Sequence, residues 1–258
     1  MSGNPSDVRQ AVLARLRFEQ ALGLECLRPR ALAPAPAPAA ETPQPEEAAT
    51  RRDPAAGPRG EPPATADLKP GDKAARWKDL EARALACTQC PLHQGRQHVV
   101  FGEGNREAKL VFVGEGPGAD EDATGRPFVG RAGQLLDKII GAMGLAREEV
   151  YICNVLKCRP PGNRTPNPQE VAACSPYLEE QLELLAPKAI VALGSPAART
   201  LLRTSEGITR LRGRWMLYKG VRVMPTYHPA FVLRQYTKEV RKAVWDDMQL
   251  VVKHLAEA

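Results

Sequence analysis

Long apolar segments are absent from this 258-residue chain. No hydrophobic run approaches the roughly 18–20 residues that a membrane-spanning helix needs. The first residues, Met1 to Asp7, have neither the basic start nor the apolar core of a secretory signal. We therefore expect a cytoplasmic protein with no membrane association. In that reducing compartment, spaced cysteines indicate metal or redox chemistry rather than disulfides.

The common phosphate-binding fingerprints are missing as well. The turn Gly114-Glu115-Gly116-Pro117-Gly118 has neither the Gly-Lys-Ser/Thr end of a P-loop nor the spacing of a dinucleotide-binding loop. Its glycines still allow backbone N–H groups to approach a ligand closely. Taken alone, the motif leaves open both a ligand cradle and an ordinary tight turn.

Composition divides the chain near residue 70. Ten of the forty residues from Ala31 to Pro70 are proline, and such a stretch buries too little apolar surface to fold. We expect a short helical segment in residues 1–30, a disordered linker in residues 31–70 and a globular domain in residues 71–258. The N-terminal segment either docks an unknown protein partner or has none, and both interpretations stay open.

Charge follows the same division. Residues 1–70 carry nine Lys and Arg against nine Asp and Glu, so the net charge of +6 belongs to the globular part. This excess is compatible with a phosphate-rich partner. A basic protein without a polyanionic ligand is equally compatible with it.

Alternating strands and helices predict an α/β fold. Near-continuous apolar runs predict four strands that are covered on both faces, namely Leu110–Gly114, Val150–Leu156, Ala189–Leu193 and Val221–Thr226. Helical spacing predicts helices over residues 72–86, 132–143, 169–185, 196–203 and 239–255. The alternation indicates a parallel sheet between two helical layers. Ligands of such sheets bind beyond the carboxyl ends of the strands.

Three side chains near those ends are candidates for ligand contacts. Asn154 interrupts an apolar strand, and its amide matches the N–H and carbonyl edge of uracil or thymine. Phe128, in a polar and glycine-rich stretch that we do not expect in the core, offers a stacking face for a planar ring. His228, before Pro229, is placed for electrostatic or acid–base work. A purely structural role also stays open for each residue. Asn154 could cap a turn, Phe128 could fill the end of the sheet, and His228 could simply pack against its neighbours.

Four cysteines form a second constellation. Cys87 and Cys90 are spaced as a C-x2-C pair, and Cys158 and Cys174 follow at a wider spacing. Four thiolates bind zinc or an iron–sulfur cluster, and the wide second spacing favours the cluster. Cys26 and Cys153 are interpreted as bystanders.

Together these motifs resemble the iron–sulfur, or family 4, uracil-DNA glycosylases of bacteria and archaea. The resemblance covers about residues 85–252. The matching segments are Gly114–Gly118 with the acidic run after it, Gly125–Gly130, Asn154–Pro161 and His228–Ala230.

The resemblance implies a three-layer uracil-DNA glycosylase fold with a central four-stranded parallel sheet, acting on the DNA of the nucleoid as a monomer. It implies a structural [4Fe–4S] cluster bound by Cys87, Cys90, Cys158 and Cys174. By likeness, uracil contacts come from Gly114, Glu115, Gly116, Phe128, Asn154 and His228.

Catalytic roles within this set are assigned to three residues. Asn154 reads the base, His228 supports the leaving uracil, and Glu115 is a candidate for the water-activating group, with Glu121 as a further substitute. The substrate is uracil-containing DNA, single- or double-stranded. Contacts to its backbone are assigned to Arg159, Arg164 and Arg234.

Two alternatives accompany this hypothesis. A related branch that crosslinks to its abasic product resembles the chain in the same motifs, but it carries an extra basic, histidine-containing loop that is not seen between Phe128 and His228. A non-catalytic, zinc-bound nucleic-acid-binding module is the other alternative.

Overall fold

A computed structural model of the chain describes residues 70–257. The expected N-terminal helix, the proline-rich linker and Cys26 lie outside the described residues. Within residues 70–257, no helix is both long and apolar enough to cross a membrane.

A mixed sheet forms the middle layer of the described domain. Its strands in chain order are β1 (Glu103–Gly104), β2 (Leu110–Gly114), β3 (Tyr151–Asn154), β4 (Ala189–Leu193), β5 (Met216–Tyr218) and β6 (Val221–Thr226). Their spatial order is β1-β3-β2-β4-β6-β5. The inner four strands are parallel, so their carboxyl ends share one edge of the sheet.

The prediction of four strands is wrong at the two edges of the sheet. Strands β1 and β5 extend it to six, each pairing antiparallel with its neighbour. Because these edge strands hold only two and three residues, they lack the long apolar run by which the inner strands are recognised. The four inner parallel strands match the prediction.

Strand boundaries agree closely with the apolar runs. The predicted bounds of β2, β4 and β6 are the observed ones. Strand β3 ends at Asn154 rather than Leu156, because its partner strand β2 ends at Gly114, opposite Asn154. The N–H groups of Val155 and Leu156 still donate to the carbonyls of Gly114 and Glu115, at 2.9 and 3.0 Å. This pairing ties the strand exit to the glycine-rich turn.

Helices cover both faces of the sheet. In chain order they are α1 (Pro70–Leu85), α2 (Ala119–Thr124), α3 (Arg131–Ala142), α4 (Pro168–Leu185), α5 (Gly194–Leu202), α6 (Ile208–Leu211), α7 (Pro229–Arg234) and α8 (Lys238–Glu257). One face packs against α1, α4 and α5. The opposite face, including Phe112 and Val191, packs against α3 and α8. This is the predicted three-layer arrangement.

The acidic stretch after the glycine-rich turn is partly buried, against expectation. Residues Ala119–Thr124 form α2, and Asp122 is only 1% exposed. Its carboxylate accepts hydrogen bonds from the backbone N–H groups of Gln97 and His98, at 2.9 and 3.4 Å. These hydrogen bonds offset the free-energy cost of burying the Asp122 carboxylate. One acidic side chain of this stretch is therefore part of the packed interior.

Candidate active site

A cleft of about 700 Å³ opens at the carboxyl ends of the parallel strands. Its walls come from the segments that follow β2, β3, β4 and β6. Among the residues proposed from sequence, those that line it are Glu115, Gly116, Glu121, Phe128, Asn154, Arg164, His228 and Arg234. Gly114, the other expected uracil contact, is not among the lining residues. The topology thus brings together side chains that are more than 100 residues apart in the chain.

Asn154 lies at the floor of this cleft with an unpaired acceptor. It is 1% exposed, and its Oδ1 atom is buried without a hydrogen-bond partner among the described residues. Gly114, its register neighbour on β2, has no side chain, so the Asn154 amide and the Phe128 ring can approach the strand backbone closely. A Cβ on Gly114 would lie 2.3 Å from Asn154 Oδ1 and 2.5 Å from Phe128 Cζ. An unpaired buried acceptor on a residue that lines a cleft is typical of a ligand contact.

Phe128 forms one wall of the pocket. Its ring is 5.7 Å from that of His228, with 33° between the planes, and the residue is 5% exposed. Its backbone φ is +52°, in the left-handed region that bulky residues rarely adopt. Strained backbone of this kind concentrates at ligand sites.

His228 caps the short helix α7. Its Nδ1 atom accepts a hydrogen bond from the backbone N–H of Ala230 at 3.1 Å, which assigns the ring proton to Nε2. Burial, together with the charge of Arg234, lowers the pKa of His228 to about 4. The imidazole is therefore neutral at pH 7 and offers one N–H donor.

Two glutamates near the glycine-rich turn have different surroundings. Burial raises the pKa of Glu115, and its carboxyl group faces the cleft. Glu121 instead accepts hydrogen bonds from the backbone N–H groups of Gly118, Val129 and Gly130, at 3.0, 2.9 and 2.9 Å. Glu121 therefore joins the turn to the Phe128 segment, which leaves Glu115 as the better candidate for contact with water.

The three arginines expected at a DNA backbone occupy different positions. Arg234 is exposed at the rim of the cleft. Arg164 also borders it, while pairing with Glu170 at 2.6 and 2.9 Å. Arg159 lies outside the cleft, in a neighbouring groove of about 190 Å³, and donates to Asn163.

All four predicted cysteine ligands line one small cavity beneath the cleft. Cys87 and Cys90 lie in the loop after α1, Cys158 lies in the loop after β3, and Cys174 lies on α4. Two of the sulfurs accept hydrogen bonds at 3.2 Å: Cys158 from Arg96, and Cys174 from the backbone N–H of Lys157. Cys153 is buried in β3 and does not line this cavity.

Four cysteines around one cavity are the number of thiolates that a zinc ion or an iron–sulfur cluster binds. Within residues 70–257, no three His, Cys, Asp or Glu side chains are grouped closely enough to hold a single metal ion. A cluster of four irons takes one thiolate at each of four irons, so its ligands stand farther apart than those of one zinc ion. N–H donors and a cation beside the sulfurs are typical of cluster sites.

Several cleft residues were missed from the sequence. Ser195 follows β4 and lines the cleft, and its signal in the sequence is its place just beyond the carboxyl end of an inner strand. Tyr227 precedes His228 and also lines the cleft. Arg131, at the start of α3, carried no signal that distinguishes it from other surface arginines.

Comparison with known proteins agrees with this fold and cleft. A family model described as the uracil DNA glycosylase superfamily matches residues 101–249. Over 174 residues the chain is 50% identical to the type-4 uracil-DNA glycosylase of Thermotoga maritima, covering 66% of this chain and 90% of that relative. The type-4 enzyme of Archaeoglobus fulgidus is 44% identical over 183 residues, or 67% of this chain and 90% of the relative.

A type-5 relative is more distant. The type-5 uracil-DNA glycosylase of Pyrobaculum aerophilum is 37% identical over 187 residues, covering 60% of this chain and 82% of that protein. The chain belongs to the uracil DNA glycosylase superfamily. Within that superfamily it is a member of the type-4 family, as its sequence motifs predicted. The type-4 name is consistent with an iron–sulfur cofactor.

Proposed function

We propose that this chain flips uracil out of DNA and hydrolyses its N-glycosidic bond, leaving an abasic site in the first step of base excision repair. One observation carries the proposal: Asn154, whose Oδ1 atom is buried without a partner among the described residues, lines a cleft together with an aromatic ring and a neutral imidazole. Membership in the type-4 uracil-DNA glycosylases supports the same reaction.

Asn154 selects the base. Its Oδ1 accepts from uracil N3–H, and its amide N–H donates to uracil O4. Cytosine has no proton at N3 and presents an amino group at position 4, so both contacts are lost. An unpaired buried polar group costs about 1–3 kcal/mol, which favours uracil over cytosine.

Phe128 stabilises the extruded base. A base inside a duplex must leave the stack before water can reach its glycosidic bond, at a cost of a few kcal/mol. Stacking on an aromatic side chain returns about 1–3 kcal/mol per base. Arg234 at the rim of the cleft supplies a phosphate contact, and Arg164 and Arg159 extend the basic surface on the other side.

His228 stabilises the leaving group. As the C1′–N1 bond breaks, negative charge grows on uracil O2, and the Nε2–H of the neutral imidazole donates to that oxygen. A water molecule then adds to C1′ of the sugar cation. Its hydroxyl stays on the sugar and its proton ends on uracil, so atoms and charge balance.

Glu115 orients that water. Its carboxyl group faces the cleft from the turn after β2, and the other nearby candidate, Glu121, is engaged by three backbone N–H groups. A carboxylate at this place also stabilises the developing positive charge of the sugar.

The four cavity cysteines would hold a [4Fe–4S] cluster. Bound there, the cluster would supply structural cross-linking, because its ligands Cys87, Cys90, Cys158 and Cys174 come from the loop after α1, the loop after β3 and helix α4. Absorption at about 400 nm in anaerobically purified protein tests this assignment. A colourless protein that contains zinc would contradict it.

Excision is tested directly on an oligonucleotide with one uracil. The purified protein is incubated with it and the product is treated with alkali, with otherwise identical oligonucleotides containing thymine or cytosine as controls. Cleavage at the uracil alone is expected. Binding without cleavage would indicate the non-catalytic module, and a protein–DNA adduct that survives denaturing electrophoresis would indicate the crosslinking branch.

We also propose that one copy of the chain is active and that it works in the cytoplasm, at the nucleoid. The side chains assigned to the reaction, Asn154, His228 and Glu115, already meet in the cleft of one chain, so the proposed chemistry needs no residue from a second copy. An excision rate per mole of protein that stays constant on dilution is the expected result.

A further inference from the structure

The wall of the pocket depends on an unusual backbone conformation. Phe128 has a φ of +52°, so its ring points at the pocket only while the chain stays in the left-handed region. A phenylalanine released from its neighbours would leave that region, because Cβ and the carbonyl crowd each other there. Contacts around the Phe128 backbone must therefore hold it.

Arg147 supplies two of those contacts. This residue begins the short turn before β3, and one of its guanidinium nitrogens, Nη1, donates to the carbonyl of Phe128 at 3.2 Å. The other, Nη2, donates to the carbonyl of Pro127 at 2.5 Å. The planar fork thus binds two successive carbonyls at the bend.

The guanidinium is itself anchored to the scaffold. Its Nη1 lies 2.6 Å from Oδ1 of Asp137 on α3, and its Nη2 lies 3.8 Å from Oε2 of Glu103 on β1. The Arg147 side chain is only 16% exposed. A partly buried cation held between two carboxylates is a rigid support, because little rotamer freedom remains to it.

Helix α3 closes the other side of the same carbonyl. A Cβ on Gly133 would come within 2.8 Å of the Phe128 Cα atom and would overlap its carbonyl group. The Phe128 carbonyl is therefore enclosed between the backbone of α3 and the guanidinium of Arg147.

We propose that Arg147 is a positioning residue for uracil recognition: it holds the Phe128 ring as a stacking face without touching DNA or the base. The proposal rests on the proposed function, since it concerns the same pocket. It assigns to Arg147 a role in base affinity that is exerted wholly through Phe128.

Three variants test this role: Arg147→Met, which keeps the aliphatic stem; Arg147→Lys, which keeps the charge but loses the fork; and Arg147→Met combined with Phe128→Ala. Two quantities are measured, the single-turnover excision rate and the inhibition constant of free uracil. We expect Arg147→Met to weaken uracil inhibition and to slow excision about tenfold, within the range for loss of one stacked base. Arg147→Lys should recover little of either, because one ammonium does not bridge two carbonyls.

The double variant separates positioning from general stability. If Arg147 acts through Phe128, the double variant is no slower than Phe128→Ala alone, because the ring that Arg147 holds is already gone. A merely structural role predicts the full tenfold loss again on top of Phe128→Ala. An excision rate of the double variant that is about tenfold below that of Phe128→Ala would therefore overturn the proposal.

Arg126→Met is the matched control. Arg126 shares the Glu103 carboxylate at 2.6 Å, is 59% exposed and, within residues 70–257, directs its guanidinium hydrogen bonds to Glu103 rather than to the carbonyl of Pro127 or Phe128. Its rate and uracil inhibition should equal those of the unmodified protein. If Arg147→Met does not fold, the proposal is tested with Arg147→Lys alone. An unchanged inhibition constant for uracil in Arg147→Lys would then contradict the proposal. Failure of the proposed function is distinct, because the unmodified protein would then not release uracil.

Discussion

Nδ1 of His228 lies 3.1 Å from the backbone nitrogen of Ala230 and accepts its N–H. Pro229 occupies the first position of α7, so the chain turns into a helix directly after the histidine. The hydrogen bond orients the ring and places its single proton on Nε2. A cap for a short helix thereby also defines the donor that faces the cleft.

Replacing His228 by alanine is expected to slow single-turnover excision about 100- to 1,000-fold, the usual effect of removing one donor to a developing oxyanion. His254→Ala is the control, because that histidine lies on α8 against Trp215, outside the cleft. Equal rates for the two variants would exclude the assigned role.

The pH profile gives a second test of the same residue. Its pKa is lowered to about 4, so His228 is neutral throughout pH 5 to 8. Protonation below about pH 4 would remove the acceptor for Ala230 and change the charge of the pocket. We therefore expect the rate–pH profile of the unmodified protein to show no step near pH 6.5 that is due to His228. A step there that disappears in His228→Ala would show that the imidazole acts as a cation.

Asn154→Asp should reduce the preference for uracil over cytosine. A carboxylate accepts from the cytosine amino group but cannot donate to uracil O4, so excision of uracil falls while cytosine gains a contact. Single-turnover rates on matched uracil and cytosine oligonucleotides measure the ratio. Asn105→Asp, in the surface turn before β2, is a control that should leave it unchanged. An unaltered ratio in Asn154→Asp would remove its reading role.

Gly114→Ala is expected to abolish excision while the protein stays folded. The added methyl group would lie 2.3 Å from Asn154 Oδ1 and 2.5 Å from Phe128 Cζ, so it would displace the two side chains that are assigned to the base. Gly141→Ala provides the comparison, since nothing lies within 4 Å of a Cβ there. Thermal unfolding and the alkali assay on both variants test the difference. Normal excision by Gly114→Ala would place the base elsewhere.

Glu115 predicts a loss of activity in acid. Burial raises its pKa, so its carboxylate takes up a proton at higher pH than an exposed glutamate does, and excision should fall as pH drops through that raised value. In Glu115→Gln, which cannot ionise, this limb should disappear and the plateau rate should be at least about tenfold lower. Rate–pH profiles of both proteins, measured on single-stranded DNA, check this. If both proteins lose activity over the same acidic pH range, a group other than Glu115 causes the loss.

Lys157 predicts a large effect on stability. Its ammonium is fully buried and donates to the Asn154 carbonyl at 2.8 Å and to Gln181 Oε1 at 2.6 Å. Lys157→Met leaves both acceptors unpaired and should lower the free energy of unfolding by about 2–4 kcal/mol. Lys138→Met, at an exposed position of α3, should change it by less than about 0.5 kcal/mol. Equal urea midpoints for the two variants would contradict this.

The inner sheet was predictable because its strands are covered on both faces. Burial on both sides selects an unbroken apolar run, and the observed bounds of β2, β4 and β6 follow those runs. The edge strands were not predictable in this way. Strand β1 is two residues, Glu103–Gly104, and it exists because β3 offers it a free edge.

The pocket was predictable where a residue departs from its surroundings. Asn154 stands out as an amide at the end of an apolar strand, and His228 as an imidazole at the end of another. Arg147 has no such signal, since surface arginines are common in this basic chain. Its importance arises from two carbonyls that lie 19 and 20 residues away in sequence.

The sequence by itself determined which chemical groups lie at the ends of the strands and how the cysteines are spaced. Apolar runs and residue types can be recognised from the local amino-acid sequence alone. Tertiary structure decided which of these groups meet. The parallel order β3-β2-β4-β6 brings the ends of four strands to one edge, and the close packing of α3 and Arg147 on the Phe128 carbonyl turns a ring into that space. Distances between residues far apart in the chain are set by how the layers pack, and local sequence does not encode them.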